Sequence, residues 1–313
     1  MLVGVATTLV ISEPQVERAD INLVDSRHYS RFLLLFLLCV GAFVGAYFLS
    51  AGIVATLKSD LGQSGAIALL IAFALEALRL TAAVAVAWFA ALLLVRIGLV
   101  DYRLVEQTYL DPVRDFFQRY GWSLAWILLA LIGLYRISDI VLGVISNVFY
   151  QDLGYSKSEI GAAVKTFGLL MTLLGGFVGG LLAFRYPVIR ILLLGAVLSA
   201  ATNLLFMLLA NIGYHPTWLY VVISADNLSA GIASAAFVAF LSSLTNISFT
   251  AMQFAIFTSL MTLLPKLLGG YSGSMVDTLG YPGFFLLTAI LGLPVLFLIV
   301  LASRRLRIDE HSR

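Results

Sequence analysis

The chain has 313 residues, of which 61% are hydrophobic and only 12% are charged, and its mean hydropathy is +1.01. This composition excludes a water-soluble globular protein and predicts an all-α polytopic membrane protein. The formal charge of +2 is too small to indicate a nucleic-acid partner. Cys39 is the single cysteine, so we predict neither a disulfide framework nor a cysteine-based metal site.

Eight apolar runs are each long enough to cross a bilayer, for which a helix needs about 20 residues. In chain order, the predicted spans cover residues 32–56, 67–95, 124–150, 160–184, 188–211, 218–244, 251–268 and 284–302. Between the second and third spans the chain is charged and amphipathic, which predicts a linker helix on the membrane surface. The predicted organisation is the tail of a preceding helix with a linker (1–31), two membrane helices (32–100), the amphipathic linker (101–122), a six-helix bundle (123–303) and a C-terminal tail (304–313).

The third predicted span carries two opposite charges, Arg136 and Asp139, near its middle. On one helix they would lie about 60° apart, and Asn147 and Tyr150 would continue the same face. A charge in the middle of a bilayer costs at least about 2.5 kcal/mol, so such residues usually face a bundle interior or a wet cavity. We therefore predict a functional site around this pair. The alternative is an ion pair that only joins helices.

Two other pairs are interpreted as structural. Glu76 and Arg79 lie three residues apart in the second span and form a possible internal ion pair, which would compensate both charges at a helix contact. Ser156 and Glu159 precede the fourth span with the Ser-x-x-Glu spacing of a capping box. We expect the fourth helix to begin there after a tight turn.

The fourth span combines a face of small residues with one cation. Gly175/Gly179 and Gly176/Gly180 are both GxxxG pairs, which allow another helix to approach closely. Lys165 lies far enough from the helix start to have a poor route to the membrane surface. We therefore expect its ammonium group to meet an anion, either a ligand or Asp139.

Polar residues also interrupt the sixth and seventh spans. The sixth contains Asp226 and Asn227, and the carboxylate is the stronger candidate because small amides and hydroxyls often only join membrane helices. The seventh contains Gln253 and, near its end, Lys266. Lys266 either needs access to a water-filled cavity or extends to the outer interface.

Lysine and arginine are distributed unevenly among the loops. When the loops are counted alternately, one set holds 13 of the 19 basic residues and the other set holds two. Cytoplasmic loops accumulate basic residues. We therefore expect both linkers and the C-terminus to lie in the cytoplasm.

Three stretches resemble the C-terminal half of AmpG-type muropeptide permeases of the major facilitator superfamily: FFQRYGWSLAWILLALIGLYRISDIVLGVISNVFYQDLGYSKSEIG, VKTFGLLMTLLGGFVGG and SFTAMQFAIFTSLMTLLPKLLGGYSG. The resemblance runs over about residues 116–302 and includes the two spans before them. It implies a six-helix bundle that rocks against a second, N-terminal bundle around a central site, with two extra helices in the linker. Residues 1–11 would end that N-terminal bundle, so we expect that this chain does not transport alone.

The resemblance implies proton-coupled import of GlcNAc-anhydroMurNAc, with or without its peptide, across the bacterial inner membrane for peptidoglycan recycling. It implies no cofactor, and the expected partners are protons, the muropeptide, the lipid bilayer and a separately encoded N-terminal bundle. The YRISD, VKTFGL and AMQF segments place Arg136, Lys165 and Gln253 at the family's polar positions. Asp139 is the first proton-carrier candidate and Asp226 the second. The substrate-binding candidates are Arg136, Lys165, Asn147, Tyr150, Gln253, Asn227 and Lys266.

Three alternatives remain at this point. A siderophore or other small organic-anion importer of the same superfamily would share this charge pattern. A non-transporting fragment that needs a separately encoded N-terminal bundle is a second possibility. A membrane enzyme is not expected, because the three histidines are scattered and neither HExxH nor GxSxG occurs.

Overall fold

The computed structural model describes residues 26–60 and 66–311, and the regular elements within these ranges are all helices. Eight of these helical stretches are long and apolar enough to cross a membrane. The predicted all-α polytopic membrane fold and the number of spans are therefore confirmed for the described residues. The predicted helix tail at residues 1–11, most of the first linker, and residues 312–313 lie outside them.

The helices fall into a hairpin and a bundle. The hairpin consists of α1 (Ser26–Leu49), its short continuation α2 (Ala51–Asp60) and α3 (Ala66–Arg96). A helical turn (Tyr102–Val105) and a π-helical turn (Glu106–Leu110) lead into the bundle, and a second π-helical turn (Gly161–Phe167) precedes its third helix. The bundle contains α4 (Asp111–Leu134), α5 (Ile137–Asp152), α6 (Gly168–Arg185), α7 (Val188–Ile212), α8 (Pro216–Leu244), α9 (Thr250–Gly269) and α10 (Ser272–His311).

Two of these helices change direction at a glycine. Gly121 inside α4 has φ of 69°, and Gly280 inside α10 has φ of 68°. Glycine adopts this left-handed region easily because it has no Cβ. The linker predicted to be a separate surface helix is therefore continuous with α4 as far as Gly121. The last predicted span, 284–302, is likewise only part of α10, which begins 12 residues earlier at Ser272.

The glycines of α6 determine how closely it approaches α8. A Cβ built on Gly175 would lie well under 3.0 Å from the backbone of Leu228, and one on Gly179 would lie 2.9 Å from the Cα of Ile232. A Cβ on either Gly176 or Gly180 would have nothing within 4 Å. The predicted GxxxG packing is thus confirmed for the Gly175/Gly179 pair. For the Gly176/Gly180 pair the prediction is wrong, because those two Cβ positions face open space in the described structure. On its other side α8 packs against α7, which also contacts α10.

Aromatic side chains fill the contact between α5, α7 and α10. The ring centroids of Phe149 and Phe285 are 4.8 Å apart, and those of Phe206 and Phe285 are 5.4 Å apart. All three rings are buried. Within a membrane the packing of such rings against each other stabilises the helix contact through dispersion, since lipid tails are as apolar as the rings.

The hairpin is held together by ion pairs and attached to the bundle through one tyrosine. Glu76 accepts a hydrogen bond from Lys58 at 2.6 Å, and its second oxygen lies 3.2 Å from Arg79. Arg79 also donates to the backbone oxygen of Tyr47 at 2.6 Å, and its guanidinium group lies over the aromatic ring of Tyr47. Between the hairpin and the bundle, the hydroxyl of Tyr271 donates to the backbone oxygen of residue 72 at 2.8 Å. Glu76 and Arg79 therefore compensate each other within the hairpin.

Candidate functional site

The long span predicted over residues 124–150 is interrupted at Tyr135 and Arg136. Helix α4 ends at Leu134 and α5 begins at Ile137, while Arg136 has φ −98° and ψ 12°. Tyr135 holds the break in place, because its hydroxyl donates to the backbone oxygen of Leu192 at 3.1 Å and its ring stacks on Phe237 at 4.6 Å. The prediction of one continuous helix is therefore wrong. Arg136 lies at the N-terminal end of α5 instead of in the middle of a helix.

Arg136 and Asp139 form an ion pair that connects three helices. The Arg136 Nε lies 3.0 Å from Asp139 Oδ2, and its Nη1 donates to the Ser234 hydroxyl on α8 at 2.5 Å. The Ser199 hydroxyl on α7 donates to Asp139 Oδ1. The two charged side chains are 21% and 15% exposed. Nε is buried and is not aligned for a hydrogen bond, so the pair is not a bidentate fork.

The second carboxylate, Asp226, contacts α7 about one turn after Ser199, the residue that contacts Asp139. The Thr202 hydroxyl lies 3.3 Å from Asp226 Oδ1 and 3.0 Å from the backbone oxygen of Ser199, so its single proton serves one or the other. No cation pairs with Asp226 within the described residues. Asp139 therefore has a cation and a hydroxyl as partners, whereas Asp226 has one long hydrogen bond.

A buried polar chain lies beside these carboxylates. The Asn203 amide donates to the Ser138 hydroxyl at 2.7 Å, and Ser138 donates to the backbone oxygen of Thr288 at 2.6 Å. Asn203 is fully buried, and its Oδ1 has no hydrogen-bond partner in the described part of the chain. Sequence reasoning missed these residues together with Ser199 and Thr202. The signal was the polar run Ser199, Thr202 and Asn203 inside an otherwise apolar span.

The face predicted to continue from Asp139 along α5 is divided by burial. Asn147 is exposed, and its backbone oxygen accepts a hydrogen bond from the Gln151 amide at 3.1 Å. Tyr150 is 3% exposed and packs near the rings of Phe149 and Phe206. Asn147 therefore remains accessible to a ligand, while Tyr150 belongs to the apolar core between helices.

The two lysine candidates are exposed. Lys165 lies in the π-helical turn before α6, and Lys266 lies near the end of α9. Neither forms an ion pair with a carboxylate among residues 26–60 and 66–311, so the expected contact between Lys165 and Asp139 is absent there. Both ammonium groups are accessible to an external anion.

Two of the three amide candidates, Asn227 and Gln253, hold helices together. Asn227 accepts a hydrogen bond from the Thr172 hydroxyl on α6 at 2.9 Å. Gln253 is 1% exposed, and its amide group donates to the backbone oxygen of Pro112 at 2.8 Å and to Asp115 at 2.9 Å. Its carbonyl oxygen accepts from Asn246 N at 2.7 Å and from an arginine of α4 at 3.2 Å. A substrate would have to displace these internal bonds to reach Gln253.

The helices and their internal charges define a polytopic membrane protein with a polar cluster between α5, α7 and α8. Within the described residues, no group of three His, Cys, Asp or Glu side chains is placed to hold a metal ion. A site of this kind offers ion pairing, hydroxyl hydrogen bonds and a second carboxylate, all inside membrane-spanning segments. Such intramembrane groups commonly mark a substrate or ion pathway.

Comparison with known proteins identifies the relatives of this chain. No family model matches it. It is 31% identical over 213 residues to "Putative transporter AmpG 4" of Rickettsia conorii, an alignment that covers 68% of this chain and 51% of the relative. It is 32% identical over 212 residues to "Anhydromuropeptide permease" of Escherichia coli K12, with 67% and 42% covered. "Putative transporter AmpG 1" of Rickettsia bellii is 31% identical over 187 residues.

These relatives confirm the resemblance to AmpG-type permeases that the sequence motifs indicate. The aligned parts amount to about two thirds of this chain. The chain in turn spans about half the length of the curated relatives it matches.

Proposed function

We propose that this chain forms part of a proton-coupled transporter that imports anhydro-muropeptides across the bacterial inner membrane for peptidoglycan recycling. The substrate class is supported by the relative that is named an anhydromuropeptide permease. The location of the site is supported by the Arg136–Asp139 ion pair, which joins α5 to hydroxyls of two other membrane helices. The siderophore alternative has no comparable support, because the relatives reported above are named for muropeptide or AmpG transport.

In this proposal the two carboxylates have different tasks. Asp139 already has two internal partners, because it forms an ion pair with Arg136 and accepts a hydrogen bond from the Ser199 hydroxyl. Asp226 carries the proton, because its one hydrogen bond, from Thr202, is long and no cation of the described chain pairs with it. Both carboxylates contact the same helix, Asp139 through Ser199 and Asp226 through Thr202 of α7. In this proposal Asp226 therefore stands before Asp139 as the proton carrier, which reverses the order given in the sequence analysis.

The substrate side of the proposal rests on exposed cations. Without its peptide, the substrate carries a carboxylate on its lactyl group; with the peptide amide-linked there, the carboxylates are those of the peptide. Either kind of carboxylate pairs well with guanidinium and ammonium groups. Lys165 is exposed and has no carboxylate partner in the described part of the chain, so it can meet such an anion without breaking an internal ion pair. Lys266, Asn147 and the partly exposed Arg136 are the other accessible candidates.

The complete transporter in this proposal contains a second six-helix bundle, supplied either by a separate chain or by another part of a longer protein. A bundle of six membrane spans with an attached hairpin encloses one side of an alternating-access cavity, and the second bundle supplies the other. The basic linkers and the C-terminus face the cytoplasm in this arrangement, in agreement with the distribution of lysine and arginine.

Uptake into membrane vesicles of the native host tests the transport proposal. Labelled GlcNAc-anhydroMurNAc should accumulate under an inward proton gradient, and accumulation should disappear when a protonophore is added or the gene is deleted. Asp226→Asn should abolish gradient-driven accumulation while it preserves exchange of labelled for unlabelled substrate. Asp277→Asn is the matched control, because Asp277 is exposed on α10 and outside the cluster. If accumulation in the Asp226→Asn variant depends on the proton gradient as before, Asp226 is not the proton carrier.

A binding comparison tests the role of Lys165. Lys165→Gln should weaken binding of an acidic muropeptide by about tenfold, equivalent to about 1.4 kcal/mol, because one ion pair is lost. It should barely affect a carboxyl-amidated analogue of the same size. Lys157→Gln is the control, since Lys157 is exposed at the start of the same helical stretch. Equal losses for both ligands would show that Lys165 does not recognise charge.

A further inference from the structure

The hairpin and the two helical turns before α4 (Tyr102–Val105 and Glu106–Leu110) enclose an apolar groove that the proposed transport function does not use. Its volume is about 430 Å³, within the range of roughly 300–1,000 Å³ that is typical of small-molecule sites. Three segments contribute side chains, α1, α3 and the helical turns before α4. Representative lining residues are Leu35, Cys39, Trp88, Leu92, Tyr102 and Tyr109.

The position of the groove limits what can occupy it. Both α1 and α3 belong to stretches that are long and apolar enough to span the bilayer. Lining residues such as Phe36, Trp88 and Leu92 are also among the large apolar side chains left exposed by the fold. A polar ligand would lose its hydration there without gaining hydrogen bonds. An acyl chain, which has no polar groups to satisfy, fits this lining.

One end of the groove carries three cations. Arg31 lies four residues before the lining residue Leu35, Arg96 directly follows Val95, and Arg103 directly follows Tyr102. All three arginines are exposed, and none pairs with a carboxylate in the part of the chain that the structure describes.

A smaller cavity of about 220 Å³ lies at the same end and is lined by Arg31, Val100, Asp101 and Leu104. The Asp101 carboxylate caps the following helical turn by accepting a hydrogen bond from the backbone of Arg103 at 3.0 Å. With three arginines and one aspartate, this end of the groove retains an excess of positive charge.

We propose that this groove binds one anionic phospholipid, with an acyl chain along the apolar lining and its phosphate among Arg31, Arg96 and Arg103. The apolar walls select a lipid tail and the surplus cations select a negatively charged headgroup. The bound lipid would join the hairpin to the helical turns before α4. These two parts already touch, because the rings of Phe32 and Tyr109 stack with their centroids 5.7 Å apart.

Native mass spectrometry of the purified chain tests this proposal. The chain would be exposed to equal amounts of phosphatidylglycerol and phosphatidylethanolamine, and the retained lipids would be counted after detergent removal. We expect one retained phosphatidylglycerol, favoured over phosphatidylethanolamine by about tenfold or more. Arg31→Gln combined with Arg103→Gln should abolish this preference. Arg304→Gln combined with Arg305→Gln should not, since these exposed arginines lie near the C-terminal end of α10 and line neither cavity.

A second pair of variants separates the tail from the headgroup. Ala91→Phe fills the groove and should lower retention of phosphatidylglycerol by about tenfold. Ala85→Phe places the same side chain at an exposed position of α3 outside the lining and should leave retention unchanged. Thermal unfolding of each variant checks that the chain still folds.

Three results would overturn the proposal. Equal retention of the two phospholipids would show that the arginines do not select a headgroup. Loss of retention in the Arg304/Arg305 or Ala85 variants as large as in the test variants would show that no particular site is involved. Retention of phosphatidylglycerol only after removal of residues 1–25 would show that this segment of the chain, and not a lipid, occupies the groove in the full chain.

Discussion

The contact between α6 and α8 gives a sharp test of how the bundle is packed. A Cβ on Gly175 would lie well under 3.0 Å from the backbone of Leu228, which no flexible side chain can relieve. Gly176, the next residue, has nothing within 4 Å of its Cβ position. Both glycines lie in the same α-helix, so alanine at either position gains the same helix propensity, about 1 kcal/mol. The difference in unfolding free energy between the two alanine variants therefore measures the cost of packing a methyl group against α8.

We expect Gly176→Ala to be neutral or stabilising by up to about 1 kcal/mol. Gly175→Ala should instead destabilise, because overpacking that forces backbones apart costs typically about 1–3 kcal/mol. Gly231→Ala meets the backbone of Thr172 and Gly176 at the same contact. The Gly175/Gly231 double variant should therefore lose less than the sum of the two single variants, because the helices are already separated.

Reversible unfolding of the purified chain in detergent, followed by circular dichroism, measures these differences. The order of stability should be Gly176→Ala, then the unmodified chain, then Gly175→Ala. Equal stability of the Gly175 and Gly176 variants would refute the close approach of α6 and α8. Strict additivity in the double variant would show that Gly175 and Gly231 act at separate places.

Three further predictions concern buried groups, with stability measured in the same way. Gln253→Ala should destabilise the chain by about 2–3 kcal/mol, because Asp115 and two backbone groups lose a buried partner. The exposed Gln151→Ala should have little effect, and equal effects of the two variants would show that the Gln253 hydrogen bonds do not hold α4 to α9. Phe149→Ala should cost about 3–5 kcal/mol through the cavity it leaves, and a loss below 1 kcal/mol would contradict its burial. Glu76→Gln should loosen the hairpin, seen as faster proteolysis between α2 and α3, since two cations lose their ion pair.

Local patterns in the sequence predicted the parts of the fold that depend on neighbours along the chain. The eight spans follow from runs of apolar residues, and the same number of long apolar helices is present in the described chain. The capping box at Ser156 and Glu159 is confirmed, with Ser156 N donating to the Glu159 carboxylate at 2.8 Å. The close approach at Gly175 and Gly179 is confirmed because a GxxxG pair removes side chains from one helix face.

Contacts between distant parts of the chain could not be predicted from these patterns. The break at Arg136 contains neither proline nor glycine, and it is held by Tyr135 through a carbonyl of Leu192, 57 residues away. Gln253 bonds to Pro112 over a separation of 141 residues. A periodic pattern shows which face of a helix is polar, but the partner of a polar side chain depends on the tertiary packing.

Two pairs with the same sequence spacing show how tertiary partners separate a structural ion pair from a functional candidate. Arg79 directs its remaining donors at the backbone oxygen of Tyr47 and at the Ser50 hydroxyl. The Ser50 hydroxyl is itself held by backbone oxygens of its own helical turn, so the Glu76–Arg79 pair is kept in one arrangement. Arg136 and Asp139 instead bond to hydroxyl groups on other helices. A hydroxyl both donates and accepts, and it can rotate to serve a water, a proton or a ligand. The second pair can therefore exchange partners as the helices around it shift, which a transport site requires and a fixed clamp does not provide.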